Sequence, residues 1–166
     1  MKVKHAIYLF GIFSLIFLTG CAAGISQQSR SMVTYTGTFS ALQKTPDAYK
    51  GEVVMLGGRI IEAKAGSSLS EITVLQLALD SNGRPVHPDQ SGGRFIVEAK
   101  KLLDPAIYQK DMYLTAVGTL KGSRIGSIGG FRYAYPLIES IEVKLWPKRL
   151  RTSPAIHFGI GVGTSF

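Results

Sequence analysis

The single cysteine constrains this chain more than any other residue. Cys21 stands directly after an apolar run from Ala6 to Leu18 and the small residues Thr19 and Gly20. One thiol cannot form an internal disulfide, so it is left for a second chain, a reactive role or a covalent modification. The segment before it has three parts: basic "MKVKH", the apolar run, then "TGC". An apolar stretch of about 13 residues suits the core of a secretory signal peptide and is short for a full membrane span. An uncleaved anchor is the alternative, but the run ends in small residues and lacks a basic stop-transfer flank.

Residues Leu18-Thr19-Gly20-Cys21 resemble the bacterial lipobox. The resemblance implies that the Cys21 thiol receives a diacylglyceryl group and that cleavage follows Gly20. The new amino group is then open to a further acyl chain, and no other cofactor is implied. Small residues let such a segment lie extended in a protease cleft, and a thiol is a good nucleophile for alkylation. One acyl chain anchors weakly, whereas two or three make release negligible at about 0.8 kcal/mol per buried methylene. Ala22 occupies the position where aspartate retains many enterobacterial lipoproteins in the inner membrane, so its presence points to the outer one.

The rest of the chain holds enough apolar residues, 45% overall, for one domain with a real core. The formal charge is +8, and removing Lys2 and Lys4 with the signal peptide leaves 17 basic residues against 11 acids. That balance favours acidic surfaces: lipid headgroups, polyanionic glycans or nucleic acid. Residues 21–36 are small and polar and read as a flexible tether. Thr38 can cap a helical turn carrying Phe39 and Leu42, and Pro46 starts another turn before Gly51.

From Val53 the pattern becomes β-like. A first strand reaches Ala63 with Gly57-Gly58 inside it, a pair that lets a long strand bend between two halves of a barrel. "EITVLQLALDS" gives a second strand, with Leu75, Leu77 and Leu79 on one face. "RFIVEAK" gives a third. "LLDPAIYQKDM" reads as a helical turn, with Asp104 as cap and Pro105 as first helical residue. "YLTAVGTLKGS" is a fourth strand turning at Gly122, followed by a glycine-rich loop. In the last strand Ile141, Val143 and Leu145 alternate with Ser140, Glu142 and Lys144, and Pro136 can split off a sixth strand. Five or six strands with a short helix between the third and fourth fit a small OB-like Greek-key barrel over 37–148, with a two-layer sandwich as the alternative.

The segments around Gly57-Gly58, "EITVLQLALD", "LDPAIY", "VGTLKG" and the aromatic strand ending in Trp146 resemble, in that order, the Slp-type starvation-inducible outer-membrane lipoproteins. The likeness covers about Lys50 to Pro147 and the lipobox. It implies a lipid-anchored envelope protein with an OB-like domain, linked to starvation or stationary phase, and the domain is expected to face the periplasm. It carries no catalytic residue onto this chain. In the tail, 149–166, Phe158, Ile160 and Val162 alternate with glycines before the terminal Phe166. This reads as a flexible Gly-rich tail, or as a strand that adds to an envelope partner's edge.

No enzymatic site is evident. His5, His87 and His157 have no metal-ligand spacing, and "GSRIGSIGG" lacks the Walker ending of a phosphate loop. The acids Glu71, Asp80, Asp89, Glu98, Asp104 and Asp111 carry no spacing that puts two in one cleft. Arg94, Lys121, Arg124, Arg132 and Tyr133 gather around the later strands, with Lys100, Lys101 and Tyr135 nearby. They form a candidate face for an anionic polymer, glycan or lipid headgroup, since OB barrels bind extended polymers with such residues. Nucleic acid is not the expected ligand in the envelope. The plainer reading is a solvated basic face with tyrosines packed at the barrel rim.

Overall fold

The computed structural model describes residues 24–147. Two short helices, α1 (Gln27–Ser31) and α2 (Phe39–Lys44), and a 3-10 turn at Pro46–Tyr49 precede five strands. These are β1 (Val53–Ala65), β2 (Ser70–Leu77), β3 (Ser91–Ala99), β4 (Tyr113–Ile128) and β5 (Phe131–Trp146). They pair in the order β1-β2-β3-β5-β4, and β4 returns to β1 to close a barrel. Every pairing is antiparallel except β3 with β5, which run parallel over Ile96–Glu98 and Leu137–Glu139. This closed, Greek-key order is that of the OB-like barrel, and closure rules out a two-layer sandwich. The expected sixth strand does not separate. Pro136 stays within β5, just outside the short parallel ladder, where its missing N–H breaks no hydrogen bond to β3.

The glycine pair performs the bend expected of it. β1 pairs with β4 from Val53 to Arg59 and with β2 from Gly57 to Ala65, so it changes partners at Gly57–Arg59. A Cβ at Gly57 would lie 2.8 Å from the Leu114 carbonyl oxygen, and one at Gly58 would overlap the Leu75 carbonyl oxygen. Only glycine lets three strands approach this closely.

The core is built from inward residues of every strand: Val54, Leu56, Ile60, Ile72, Val74, Phe95, Val97, Leu114, Ala116, Leu120 and Ile138. At one end α2 inserts Phe39 and Leu42. Thr38 caps this helix by accepting from the Ala41 N–H at 3.2 Å, as the sequence predicts. Leu103, Tyr108 and Met112 of the β3–β4 connection also pack on the core. The helix expected in that connection is a single hydrogen-bonded turn. The N–H groups of Ile107 and Tyr108 both donate to the Asp104 carbonyl, and Asp104 Oδ1 caps it by accepting from the Ala106 N–H at 2.8 Å.

Three details differ from the alternation patterns. β2 stops at Leu77, and Ile72 and Val74 face the core. Leu77 is also fully buried, but lies outside the central cluster. Gly122 is not a turn. Lys121 is an extra residue in the β4–β5 ladder, and Gly122 takes a φ of 104° as the strand passes through that bulge. The true turn is Gly129-Gly130, both at positive φ, which makes the expected loop the outer half of a hairpin of two 16-residue strands. A second bulge, at Ile141, shifts β5 by one residue. Ile141 is therefore exposed while Val143 and Leu145 pack inward.

Candidate functional site

The hairpin arm beyond Lys121 folds back against β3 and β2, and most of the basic and aromatic residues lie in that contact. Arg124 on β4 forms ion pairs with both Glu71 of β2 and Glu98 of β3. Those two carboxylates face each other across the β2–β3 ladder, so the guanidinium relieves a like-charge pair. The Tyr133 hydroxyl accepts from the Arg94 N–H at 2.7 Å and lies over Gly93, where a Cβ would come within 2.5 Å of it. Tyr133 packs edge-on against Tyr135, with ring centroids 4.6 Å apart. At the base of the arm Asp47 Oδ1 accepts from the Ser123 N–H at 3.0 Å, and Oδ2 from its hydroxyl at 2.9 Å.

Lys121 lies 3.1 Å from Glu139, which Lys100 also pairs. The hydrogen bond from Lys100, reinforced by Lys121, holds the Glu139 carboxyl below its usual range. Of the five residues expected on a ligand face, Lys121, Arg124 and Tyr133 are thus bonded within the domain. The Arg94 and Arg132 side chains have no carboxylate partner among the described residues, and Arg132 is exposed near the arm's tip beside Phe131.

A second surface was not legible as a site. The expected flexible tether over 21–36 is, from Gly24 onward, docked structure. Ile25 and Ser29 are buried, and Ser26 caps α1 by accepting from the Ser29 N–H at 3.2 Å. The Ser26 hydroxyl donates to Glu142 of β5 at 2.6 Å, and its N–H donates to the same carboxylate at 3.1 Å. Burial by itself would raise the Glu142 pKa, but hydrogen bonds from Ser26 and Ser29, with the Lys144 charge nearby, outweigh it and hold the carboxyl below its ordinary value. Polar side chains gave no periodic signal here.

Loop 78–86 lies over the outside of the barrel beside α1. Thr115 is buried, donates to the Gly83 carbonyl at 2.5 Å and accepts from Trp146 Nε1 at 2.9 Å. The Arg84 guanidinium sits 5.3 Å from the Trp146 ring centroid and donates to the Pro147 carbonyl at 3.2 Å. Arg30 donates to the carbonyls of Ile25 at 3.3 Å and Ser81 at 3.2 Å. An open cleft of about 420 Å³ lies between Gly24–Gln27, Arg30 and Ser81–Asn82.

With this architecture in place, comparison with known proteins gives the family. Residues 18–159 match the Outer membrane lipoprotein Slp family. The chain belongs to the Slp family. Two Escherichia coli (strain K12) proteins are similar. The Outer membrane protein Slp is 26% identical over 140 residues, 83% of this chain and 74% of that protein. The uncharacterized lipoprotein YeaY is 25% identical over 138 residues, 83% of this chain and 70% of that one. Among solved structures, a small single-stranded DNA-binding protein from Streptomyces coelicolor is 13% identical and covers 57% of this chain and 94% of its own, with a TM-score of 0.38. The OB-like assignment of this Slp-family chain rests on its own strand order.

The Slp-family match begins at Leu18, so it includes the four residues expected to form a lipobox. Leu18, Thr19, Gly20 and Cys21, with His5, His157 and the tail 149–166, lie outside the described residues. His87 sits in loop 78–90 at a φ of 52°. Among the described residues no group of three or more His, Cys, Asp or Glu side chains is placed to hold a metal ion. No helix among them is long and apolar enough to cross a membrane.

Proposed function

We propose that this Slp-family outer membrane lipoprotein is held in the membrane by acyl chains on Cys21 after cleavage behind Gly20. Its barrel faces the periplasm and acts without catalysis, through an envelope partner, in envelope maintenance or the response to starvation. The observation that carries this reading is the family match running from the lipobox through the whole barrel. The C-terminal tail, which alternates apolar residues with glycines, is the segment proposed to meet the partner.

The alternative, a basic-aromatic face for an anionic polymer, glycan or lipid headgroup, has less to stand on. Three of its five residues are bonded inside the domain, leaving the side chains of Arg94 and Arg132.

Intact mass and membrane fractionation of the wild type beside Cys21→Ala test the main reading in a bacterial envelope. Wild type should lose residues 1–20, gain acyl mass and sediment with outer membrane, and the variant should do none of these. Identical behaviour of the two without added lipid would refute it.

A further inference from the structure

We infer that the domain does not swing on its lipid anchor but rests on the bilayer by one defined face, made of the α1 segment and loop 80–84. Arg30 and Arg84 on this face are placed to meet lipid headgroup phosphates. This rests on the reading that Cys21 carries the lipid.

The first argument is length. Gly24 is docked against loop 80–84 and lies only three residues past Cys21 in the sequence. Three peptide steps at ~3.3–3.6 Å each span about 10 Å. The polar zone of one leaflet takes up ~5–7 Å, from a bilayer of ~40–45 Å around a ~30 Å hydrocarbon core. A thiol acylated at the hydrocarbon boundary therefore leaves Gly24 within a few ångströms of the headgroups.

The second argument is rigidity. Gly24 is not the start of a loose arm. A Cβ on it would sit 2.8 Å from the Asn82 carbonyl oxygen, Ile25 is buried, and Ser26 bonds the Glu142 carboxylate through both its N–H and its hydroxyl. Any surface beside Gly24 is brought to the membrane with it, and that surface is loop 80–84.

The third argument is charge. Arg30 lines the cleft beside Gly24 and bonds carbonyl oxygens rather than a carboxylate, leaving guanidinium donors free. Arg84 likewise bonds the Pro147 carbonyl and stacks on Trp146. The acids on this face have partners: Asp80 accepts from the N–H groups of Asn82 and Arg84, and Glu142 from Ser26. Arg84 also fixes where the chain leaves the barrel, at Pro147, and the next residues in sequence are Lys148, Arg149, Leu150 and Arg151. Both ends of the domain thus leave by one face, one toward a lipidated cysteine and the other into a basic sequence. Basic residues near an anionic leaflet are attracted to it.

The test uses the full lipoprotein in vesicles of phosphatidylethanolamine and phosphatidylglycerol containing a headgroup-attached quencher. With Cys21 acylated, Asn82→Cys and Ser68→Cys each offer one free thiol for a fluorophore. Asn82 lies in the proposed face. Ser68 lies in the β1–β2 turn, at the far end of the eight-residue strand β2, about 25 Å away at ~3.3 Å per residue. Both positions are exposed, and circular dichroism checks that each variant folds. The label at position 82 should be quenched severalfold more than that at position 68, and Arg30→Gln should narrow the difference. Equal quenching in acylated protein, or stronger quenching at position 68, overturns the face while leaving the anchor intact. Intact mass reports the anchor separately: protein without acyl mass removes both the anchor and the face.

Discussion

At the scale of single residues, backbone contacts set the strictest limits. Gly58→Ala drives a methyl into the Leu75 carbonyl where β1 changes partners, and neither strand can give way without breaking a ladder. The expected loss is about 3 kcal/mol or more in urea unfolding, and a loss under about 1 kcal/mol would show that the two strands are further apart. Arg124→Leu leaves Glu71 and Glu98 facing each other across β2 and β3. The residue is half-exposed, so solvent screens the charges and the expected cost is about 1 kcal/mol. Because like-charge repulsion makes up much of it, that cost should shrink in 1 M salt, where the screening length falls to about 3 Å. A cost indifferent to salt would assign Arg124 a packing role instead.

At the scale of elements, two appendages turn a plain barrel into this one: the hairpin arm and the α1 segment. Tyr133→Phe removes the hydroxyl that receives the Arg94 N–H and leaves the ring in place. A lost hydrogen bond of this kind costs about 1 kcal/mol, and amide exchange at Arg94 should accelerate while exchange in β1 stays unchanged. Uniform acceleration would mean that the arm is not a separate unit.

The α1 contact has a pH signature. The Glu142 carboxyl is held below its ordinary pKa in the folded chain, so the folded state keeps it ionised where the unfolded state has begun to bind a proton. Its contribution is complete above the unfolded carboxylate value of about 4.3 and is lost as pH falls through the lower folded value. The melting temperature of the wild type should therefore fall more steeply below that pH than that of Glu142→Gln. Parallel curves would mean that Ser26 does not favour the charged form.

For the whole molecule, the short link proposed between a lipid on Cys21 and the barrel predicts that orientation depends on linker length. A ten-residue Gly-Ser insertion between Ala23 and Gly24 adds a flexible coil with an end-to-end reach of about 5–6 Å times the square root of its length. Labels at positions 82 and 68 of the acylated protein should then be quenched alike, with fold and membrane fractionation unchanged. Persistent orientation would mean that surface charge alone holds the face down.

The sequence by itself determined the features written in local chemistry. The Thr38 cap with Phe39 and Leu42, the Asp104-Pro105 turn and the glycine pair each need only neighbouring residues to be read, as does the lipobox expected at Leu18–Cys21, and the order of motifs gave the family. The tertiary structure decided which apolar face of β2 is the core, because Ile72 and Val74 on one side and Leu77 on the other are all buried and alternation cannot rank them. It decided that Gly122 is a bulge and Gly129-Gly130 the turn, since glycine permits both and only strand register chooses. It also decided what the basic residues do. Arg124 meets Glu71 and Glu98 from 53 and 26 positions away, and Ser26 meets Glu142 from 116, separations at which no sequence pattern carries a signal. Contacts of that range follow from how the barrel closes, and closure depends on all five strands at once.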